Sequence, residues 1–457
     1  MSKRNNPIGF CCLAGAHGWT LIYFMKQEYD VIIVGAGAAG LLAARELSKA
    51  NRKVVLVEAR DRIGGRIHTL RHRDSATSLE LGAEFVHGNL PITFKLAAEA
   101  DISVYPTAGE TWRIRNGELL RGDELDEDWE LFEEKLKGLQ EDLPLKDFLN
   151  NHFEDTIHSD LKRSVERFAA GYDTADISRA STLGLRDEWL DEENGANDFR
   201  LKGGYKALLD FLLNELHSRD VDIFLSTIVR EVIWKPGEVR GKTTDGREVF
   251  ASRILITVPL GVLQADETEL GAIKFSPQIA PTISAAKALG FGAIIKILLE
   301  FKTPFWEEMY PELLNMEFLL TDTLIPAWWT QFPDRSGVLT GWLGGPQASL
   351  FTHATPQEVL VEALKCLESS LKVPEEKLKE QLLNFRVANW TADPFTRGSY
   401  SYATVGAVAA RKILNTPVCD TLFFAGEALY GGVETGTVEA AFASALNSVN
   451  QILKNTS

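Results

Sequence analysis

The 457-residue sequence has few cysteines, and they form no pattern typical of a disulfide framework or a metal site. The four are Cys11, Cys12, Cys366 and Cys419, and no CxxC pair or zinc-type spacing links them. A chain of this length can bury a core large enough to fold without covalent cross-links. We therefore predict no bound metal and a reducing compartment, with the cytoplasm as the expected location.

The sequence also lacks a long apolar run and an excess of positive charge. Residues 8–24 are fairly apolar, but His17, Trp19 and several glycines interrupt them, so we predict no membrane span. We expect residues 1–28 to be a disordered N-terminal extension, with a signal peptide as the alternative. The chain carries 48 Lys and Arg against 64 Asp and Glu, a net charge of −16. This balance argues against nucleic acid as a partner and is compatible with a cationic ligand.

A complete βαβ unit is present near the start of the chain. Residues 29–34 form an apolar strand that leads into Gly35, Gly37 and Gly40, and a helical pattern follows at 41–50. In this spacing the first glycine makes a tight turn and the second lets the backbone approach a pyrophosphate. The third lets the helix and the strand pack closely. The pattern therefore predicts a dinucleotide site at the helix N-terminus, where phosphate charge is favoured.

The residues that follow favour one dinucleotide over another. Strand 54–57 ends at Glu58, whose carboxylate would accept hydrogen bonds from ribose hydroxyls and repel a 2′-phosphate. The pair Gly64-Gly65 and then Arg66 come next, which suits a cofactor whose pyrophosphate needs a further cation. This combination favours FAD over NAD.

With these motifs the sequence resembles the flavin-containing amine oxidase family, which includes monoamine oxidases, polyamine oxidases and lysine-specific histone demethylases. The resemblance covers most of residues 29–453 and is carried by EARDRIGGR at 58–66, LGAEFVHG at 81–88, TVPL at 257–260 and FFAGE at 423–427. It implies an α/β fold in which a Rossmann-like FAD-binding domain of the glutathione-reductase type is interleaved with an α+β substrate-binding domain. The predicted boundaries are 29–88, 200–264 and 390–457 for the FAD-binding domain, and 89–199 and 265–389 for the substrate-binding domain.

The resemblance implies a cofactor site assembled from the start, the middle and the end of the chain. Ser399 stands where monoamine oxidases carry the cysteine that tethers the flavin, so we expect FAD to be held non-covalently. The cofactor-binding residues implied are Gly35, Gly37, Ala38, Ala39, Gly40, Glu58, Ala59, Arg60, Gly65, Arg66, Gly82, Ala83, Glu84, Val229, Gly426, Glu427, Thr437 and Val438.

The resemblance also implies a catalytic set. The lysine matching Lys296 holds a water against the flavin, and an aromatic residue at Tyr400, near Trp390, forms a wall of a cage for the amine. Thr437 stands where monoamine oxidases have a second cage tyrosine, which leaves room for a longer or secondary amine. His87, with Glu84, would bind a distal ammonium. Without the resemblance, alternation along strand 294–301 could point Lys296 to solvent, the two aromatic residues could be core, and His87 and Glu84 could be solvated.

The predicted function is the FAD-dependent oxidation of an amine to an imine and then an aldehyde, with O2 reduced to H2O2. The amine would be a polyamine or another primary or secondary amine, and the enzyme a monomer or homodimer. Two alternatives remain open. One is an L-amino acid oxidase or another FAD-dependent oxidoreductase of this fold, although no arginine for a substrate carboxylate can be located. The other is a non-catalytic flavin-binding interaction module. The acidic run at 187–193 is either a channel mouth or a solvated loop.

Overall fold

The structure is a computed structural model that describes residues 24–71, 78–88, 90–115, 117–122, 129–154, 156–191 and 198–454. The predicted N-terminal extension lies outside the described residues as far as position 23. Its last part does not, because the first strand begins at Phe24 and pairs there with Glu248. The predicted start of the folded region at Tyr29 was therefore too late.

The described residues form 22 strands. The strands are β1 (Phe24–Val34), β2 (Val54–Val57), β3 (Thr69–Arg71), β4 (Ser78–Glu80), β5 (Val86–His87), β6 (Val104–Pro106), β7 (Glu110–Arg115), β8 (Glu118–Arg121), β9 (Asp198–Leu201), β10 (Asp222–Phe224), β11 (Val229–Lys235), β12 (Glu238–Thr243), β13 (Glu248–Ile256), β14 (Lys274–Ser276), β15 (Gly290–Phe291), β16 (Ile294–Phe301), β17 (Met316–Thr321), β18 (Ala327–Trp329), β19 (Val338–Gly344), β20 (Leu382–Asn389), β21 (Ser401–Tyr402) and β22 (Leu422–Phe424).

The helices are α1 (Ala38–Lys49), α2 (Pro91–Glu99), α3 (Trp129–Lys137), α4 (Leu145–His152), α5 (Ser159–Gly171), α6 (Thr182–Trp189), α7 (Tyr205–Ser218), α8 (Leu260–Gln264), α9 (Ala280–Ala288), α10 (Phe305–Met309), α11 (Gly345–Ser349), α12 (Pro356–Leu371), α13 (Glu375–Gln381), α14 (Ala407–Leu414) and α15 (Val438–Lys454), with short 3-10 helices at Pro311–Asn315 and Glu427–Leu429. None of these described helices is long and apolar enough to span a bilayer.

The first large sheet has the strand order β10-β2-β1-β13-β12-β11-β14, and β22 pairs with the end of β13. Strands β10, β2, β1, β13 and β22 run parallel. Residues 31–34 are buried without a break because apolar cores cover both faces of this sheet. Ligands of such open sheets bind beyond the carboxyl ends of the parallel strands. That edge carries the segments that begin at Gly35, Glu58, Thr257 and Ala425.

The second large sheet has the order β20-β16-β19-β18-β17-β7-β8. Strand β16, next to the edge strand β20, is buried along almost its whole length, and α12 packs against the same apolar core. Lys296 lies in β16, directly opposite Trp342 of β19 and Ala388 of β20. The two sheets are built from alternating stretches of the chain, and the predicted α/β fold class is confirmed.

Two of the predicted domain boundaries are corrected by the packing. Strand β14 pairs with β11 of the first sheet, and Ala285 and Ala286 of α9 lie in the core of that sheet, although both elements fall within the predicted segment 265–389. Likewise Leu96 and Ala97 of α2 lie in the core shared with α1 and α15, although the predicted segment was 89–199. Hydrogen bonds and apolar contacts with distant segments determine which core these elements join, so no local sequence pattern indicates their domain.

Candidate active site

The glycine turn between β1 and α1 has the close packing that its spacing predicted. Gly35 has a φ of 107°, and a Cβ on it would lie 2.8 Å from Thr257 Oγ1. A Cβ on Gly40 would lie 1.9 Å from the carbonyl oxygen of Gly35. Gly37 differs, because a Cβ there would meet only the Gly64 oxygen, at 3.9 Å. Gly35 and Gly40 therefore allow the turn itself. Gly37 leaves open space at the N-terminus of α1, as a bound pyrophosphate requires.

The Glu58 carboxylate connects the loop after β1 with the loop after β2. It is buried, and its two oxygens accept hydrogen bonds from the backbone N–H groups of Ala36, at 2.7 Å, and Arg60, at 2.8 Å. A carboxylate has about four acceptor positions, so two remain for hydroxyl donors. The guanidinium of Arg60 lies 4.0 Å from Glu58 Oε1 and donates to Asp393 at 2.5 Å and to Thr396 at 2.8 Å. Glu58 keeps acceptor positions for a ribose, and Arg60 links its own segment to the segment that contains Asp393 and Thr396.

Arg66 and Glu427 form an ion pair beside the same cavity. The Arg66 guanidinium donates to Glu427 Oε1 at 2.8 Å and to the carbonyl oxygen of Ser399 at 2.7 Å. The other Glu427 oxygen accepts from the Ser401 hydroxyl at 2.6 Å. The Ser399 hydroxyl is bonded to Thr174 Oγ1 at 2.7 Å and to the oxygen of Gly292 at 3.1 Å. The FFAGE segment and the GGR segment, 361 residues apart, therefore meet in one place.

Lys296 is buried and belongs to a charged network. Its side chain is 1% exposed, and Nζ donates to Glu84 Oε2 at 2.6 Å and to the Gly82 oxygen at 3.1 Å. Glu84 Oε1 accepts from Arg200 at 3.0 Å, and Oε2 accepts from the indole N–H of Trp329 at 3.1 Å. Burial would raise the pKa of Glu84, but the charges of Lys296 and Arg200 hold that pKa below its ordinary value.

This network settles two alternatives that the sequence left open. Strand alternation does not carry Lys296 to solvent, because β16 has apolar neighbours on both faces. Glu84 is not a solvated carboxylate, because three internal donors bond to its oxygens. Its negative charge already balances two buried cations, so these contacts give no support to the predicted role of Glu84 as the ligand of a distal ammonium.

Aromatic residues form the walls of the cavity near Lys296. Trp390 is 7% exposed and donates to the Leu81 oxygen at 2.8 Å. The Tyr400 ring lies nearly parallel to that of Trp342, with an interplanar angle of 23° and centroids 6.5 Å apart, and its hydroxyl donates to the Tyr172 oxygen. Trp342 was missed in the sequence. Its position opposite Lys296 depends on the register between β16 and β19, which no local pattern predicts.

Thr437 lies at the N-terminus of α15 and acts there as a cap. Its hydroxyl accepts from the backbone N–H of Ala440 at 3.1 Å and donates to the Glu434 oxygen at 2.7 Å. His87 lies near the same end of the cavity, where Nδ1 is 2.7 Å from Asp198 Oδ1. A tyrosine ring, that of Tyr172, lies edge-on to the imidazole at 6.2 Å.

A pair of carboxyl groups near this end was not predicted as a pair. Asp173 hydrogen-bonds Glu188, and the indole N–H of Trp189 donates to Asp173 at 3.0 Å. Burial raises the pKa of Glu188 to about 7, and burial together with Glu188 raises the pKa of Asp173 well above its ordinary value. Glu188 also accepts from Thr435 at 3.1 Å and lines the cavity. Of the acidic run, Asp187 is exposed and pairs with Arg186, and residues 192–193 lie outside the described residues.

One cavity of about 980 Å³ connects these groups. Gly40 is the one predicted site residue that does not line it, because it packs beneath the turn. The predicted site residues that do line it are Gly35, Gly37, Ala38, Ala39, Glu58, Ala59, Arg60, Gly65, Arg66, Gly82, Ala83, Glu84, His87, Val229, Lys296, Trp390, Tyr400, Gly426, Glu427, Thr437 and Val438.

Another part of the cavity is lined by charged residues of β7, α5 and the segment after β17. They are Arg113, Arg115, Asp160, Arg163, Arg167 and Asp322. Asp160 contacts Arg163, and Asp322 lies 2.5 Å from Arg167. These residues come from separate segments, so no local pattern predicted that they line one cavity.

The parallel sheet and the glycine turn form a dinucleotide-binding fold, and the buried Lys296 lies at the wall of the same large cavity. A family model described as "Flavin containing amine oxidoreductase" matches residues 38–453, and the chain belongs to this family. Members of this family contain a flavin, and FAD is the cofactor.

Several named proteins are similar to the chain. It is 27% identical to Lysine-specific histone demethylase 2 of Homo sapiens, over 94% of this chain and 54% of that protein. It is 26% identical to Lysine-specific histone demethylase 1 homolog 3 of Arabidopsis thaliana, of which it spans 30%. It is also 26% identical to Polyamine oxidase 5 of Oryza sativa subsp. japonica, over 91% of this chain and 86% of that one.

Solved structures share the fold. Wild-type putrescine oxidase bound to putrescine has a TM-score of 0.75 at 22% identity, covering 94% of this chain and 99% of that chain. Cyclohexylamine oxidase from Brevibacterium oxydans IH-35A has a TM-score of 0.75 at 20% identity, with the same coverage. The chain spans about half or less of the histone demethylases above and most of the polyamine oxidase.

Proposed function

We propose that the chain is an amine oxidase that holds FAD non-covalently, converts an amine to an imine and then an aldehyde, and passes the electrons to O2 to form H2O2. The observation that carries the proposal is the position of Lys296. It is buried in the cavity that also contains the glycine turn, the Arg66–Glu427 pair and the aromatic walls. FAD, when bound, supplies the chemistry by accepting a hydride equivalent from the carbon–nitrogen bond.

The residues present fit that cofactor. The open backbone at Gly37 and the N-terminus of α1 would hold the pyrophosphate, with Arg66 as a nearby cation. Glu58 has acceptor positions left for ribose hydroxyls. A serine at position 399 offers no thiol, and its hydroxyl is held by Thr174 and Gly292, which supports non-covalent binding.

The aromatic walls would orient the amine and exclude water from it. Tyr400 and Trp342 present nearly parallel rings, and Trp390 lies close to Gly82. Ring faces attract a cationic amine and pack against its carbon chain, while they offer few hydrogen bonds to water. Thr437 is shorter than a tyrosine and is engaged in capping α15, so this side of the cavity is open to a substituted amine.

An amine must lose its proton before it can be oxidised, and Glu188 is placed to accept it. Its carboxyl lines the cavity, and its pKa of about 7 suits a group that exchanges protons near neutrality. Lys296 would serve a different purpose, since Glu84 and the Gly82 oxygen hold Nζ in place at the cavity wall. From there it can position a water molecule and stabilise negative charge that develops nearby.

Peroxide release from a panel of amines tests this proposal. The panel contains spermine, spermidine, putrescine, aromatic amines and amino acids, each supplied to the purified holoenzyme in air. We expect peroxide and an aldehyde in equal amounts from at least one amine. Peroxide from amino acids alone would instead favour an amino acid oxidase.

A further inference from the structure

The C-terminal end of α5 binds two residues of the aromatic wall. The indole N–H of Trp342 donates to the carbonyl oxygen of Gly171 at 2.7 Å. The hydroxyl of Tyr400 donates to the carbonyl oxygen of the next residue, Tyr172. The last carbonyl groups of a helix have no partner within the helix, so side-chain donors often bind them. Here these two donors do so, and the polar end of each ring is fixed as a result.

Thr174 follows this helix end in an unusual backbone conformation. Its φ is 52°, in the left-handed region, and it is 1% exposed. A β-branched residue is rare in that region, and it persists only where the surrounding structure holds it. The backbone N–H of Ala175 donates to the Ala169 oxygen at 2.9 Å, which closes the helix end around Thr174. The contacts of the Thr174 side chain therefore have to hold it in place.

The Thr174 hydroxyl contacts the segment that carries Tyr400. Its Oγ1 lies 2.7 Å from Ser399 Oγ, which donates to the Gly292 oxygen at 3.1 Å. A carbonyl oxygen can only accept, so the Ser399 hydrogen points to Gly292 and the Thr174 hydroxyl is the donor to Ser399. The backbone N–H of Gly292 donates to the Tyr400 oxygen at 3.0 Å. A chain of hydrogen bonds thus joins Thr174 to the backbone of Tyr400.

The Thr174 methyl group lies against strand β19, which carries Trp342. A Cβ on Gly344, two residues beyond Trp342, would lie 3.2 Å from Thr174 Cγ2 and 2.6 Å from the Ala170 oxygen. A Cβ on Gly292 would overlap Thr174 Oγ1. Glycine at these two positions therefore lets the end of α5 approach both segments closely.

The two rings are consequently fixed at both ends. The backbone of each lies beside a contact of Thr174, and the polar atom of each binds the carbonyl of Gly171 or Tyr172. The rings of Trp342 and Tyr400 both line the cavity. A group that orients a substrate must be held precisely, because a displacement of about 1 Å can cost roughly a hundredfold in rate.

We infer that residues 171–174 orient the aromatic wall, and that Thr174 is a positioning residue for Trp342 and Tyr400. This inference rests on the proposed oxidase function and deepens it. Thr174 does not line the cavity, so it acts through the two rings rather than on the amine itself.

Thr174→Val tests the inference, because valine keeps the branched shape and loses the hydroxyl. The holoenzyme is mixed anaerobically with the best amine of the panel in a stopped-flow instrument. We expect the limiting rate of flavin reduction to fall about tenfold, because the rings orient the amine less well. The apparent Kd of the amine should change less than about threefold, because the rings still contact it. Thr174→Ser keeps the hydroxyl and should restore most of the rate.

Thr404→Val is the matched control. Thr404 is 6% exposed, its hydroxyl donates to the Ala288 oxygen at 2.6 Å, and it does not line the cavity. Each valine variant removes one buried hydrogen bond, so both should lower the urea midpoint to a similar extent. Only Thr174→Val should slow flavin reduction.

The apoprotein supplies a second readout that needs no turnover. Near-UV circular dichroism reports aromatic side chains held in fixed packing. The change caused by Thr174→Val should include the tryptophan bands that Trp342→Phe removes, and Thr404→Val should leave the spectrum unchanged. If Thr174→Val does not fold, Ser399→Ala breaks the same hydrogen bond from its other side and should have the same two effects.

An unchanged reduction rate in Thr174→Val, no recovery in Thr174→Ser, or equal slowing by Thr404→Val would overturn the inference and leave the oxidase function standing. A parent flavin that no amine of the panel reduces would overturn the oxidase function. The spectra of the apoprotein would in that case still decide whether Thr174 fixes the rings.

Discussion

Replacing Glu84 with glutamine should strongly destabilise the protein, because this one carboxylate balances two buried cations. Its oxygens lie 2.6 Å from Lys296 Nζ and 3.0 Å from the Arg200 guanidinium, and all three side chains are at most 8% exposed. Removing one partner of a buried ion pair leaves an uncompensated charge and typically costs about 3–5 kcal/mol. Glutamine keeps an oxygen that can accept from Trp329, so the loss should come mainly from charge.

A surface pair with the same chemistry supplies the control. Glu375 and Lys379 are also 2.6 Å apart, but the lysine is 55% exposed. Exposed pairs of this kind contribute about 0–1 kcal/mol. Urea unfolding at pH 7, followed by tryptophan fluorescence, should therefore show a large loss for E84Q and almost none for E375Q.

A double-mutant cycle tests whether the two groups interact directly. E84Q together with K296M should cost less than the sum of the two single losses, by about 1–3 kcal/mol, because the double variant leaves neither charge without the other. The folded-state pKa of Glu84 is depressed, so its contribution is present above its unfolded pKa and is lost only as pH falls through the lower folded value. The deficit of E84Q should accordingly be constant between pH 6 and 8. An E84Q loss no larger than that of E375Q, or additive single losses, would refute this reasoning.

Four further predictions concern the cofactor and the proton acceptor. Gly37→Ala should lower FAD affinity at least tenfold while the apoprotein keeps its stability within about 1 kcal/mol. Gly40→Ala should instead destabilise the apoprotein by more than about 2 kcal/mol, because its new Cβ would clash within the turn. Flavin fluorescence titration measures the affinity and urea unfolding the stability, and equal behaviour of both variants would contradict the packing around these glycines. Glu188→Gln should lower kcat/KM at pH 7 at least tenfold. The pH at which kcat/KM rises should move toward the pKa of the amine, because the variant lacks the carboxyl whose pKa is about 7. An unchanged pH profile of kcat/KM would exclude Glu188 as the proton acceptor. Because the folded pKa of Glu188 is raised, its burial destabilises the parent progressively as pH rises from about 4.5 to about 7, and E188Q should not show that part of the decline in urea unfolding. Precipitation of the holoenzyme with acid should release all the flavin into the supernatant, and yellow colour in the washed pellet would show a covalent link.

The flavin side of the site could be predicted from the sequence because its signals are local. Gly35, Gly37 and Gly40 belong to one turn, and Glu58 ends the next strand of the same βαβ unit. Their residue types follow from backbone geometry and hydrogen bonding within that unit. The structure places Gly40 beneath the turn and the other three residues at the cavity, so their role in holding FAD stays a prediction.

The substrate side could be predicted only in part, because its contacts join distant segments. Glu84 and Lys296 are 212 residues apart, and no local pattern showed that one neutralises the other. Arg113 reaches the cavity through the pairing of β7 with β17, and Trp342 faces Lys296 through the pairing of β19 with β16. Each depends on strand register, which long-range packing sets.

The central claim, that this cavity oxidises amines by means of its flavin, is tested most directly by anaerobic spectra of the purified holoenzyme. Absorbance is recorded before and after addition of each amine in the panel. Loss of the oxidised-flavin absorbance with at least one amine, and its return when air is admitted, is the predicted result. A bound flavin that no amine bleaches would contradict the claim and favour a non-catalytic flavin-binding module.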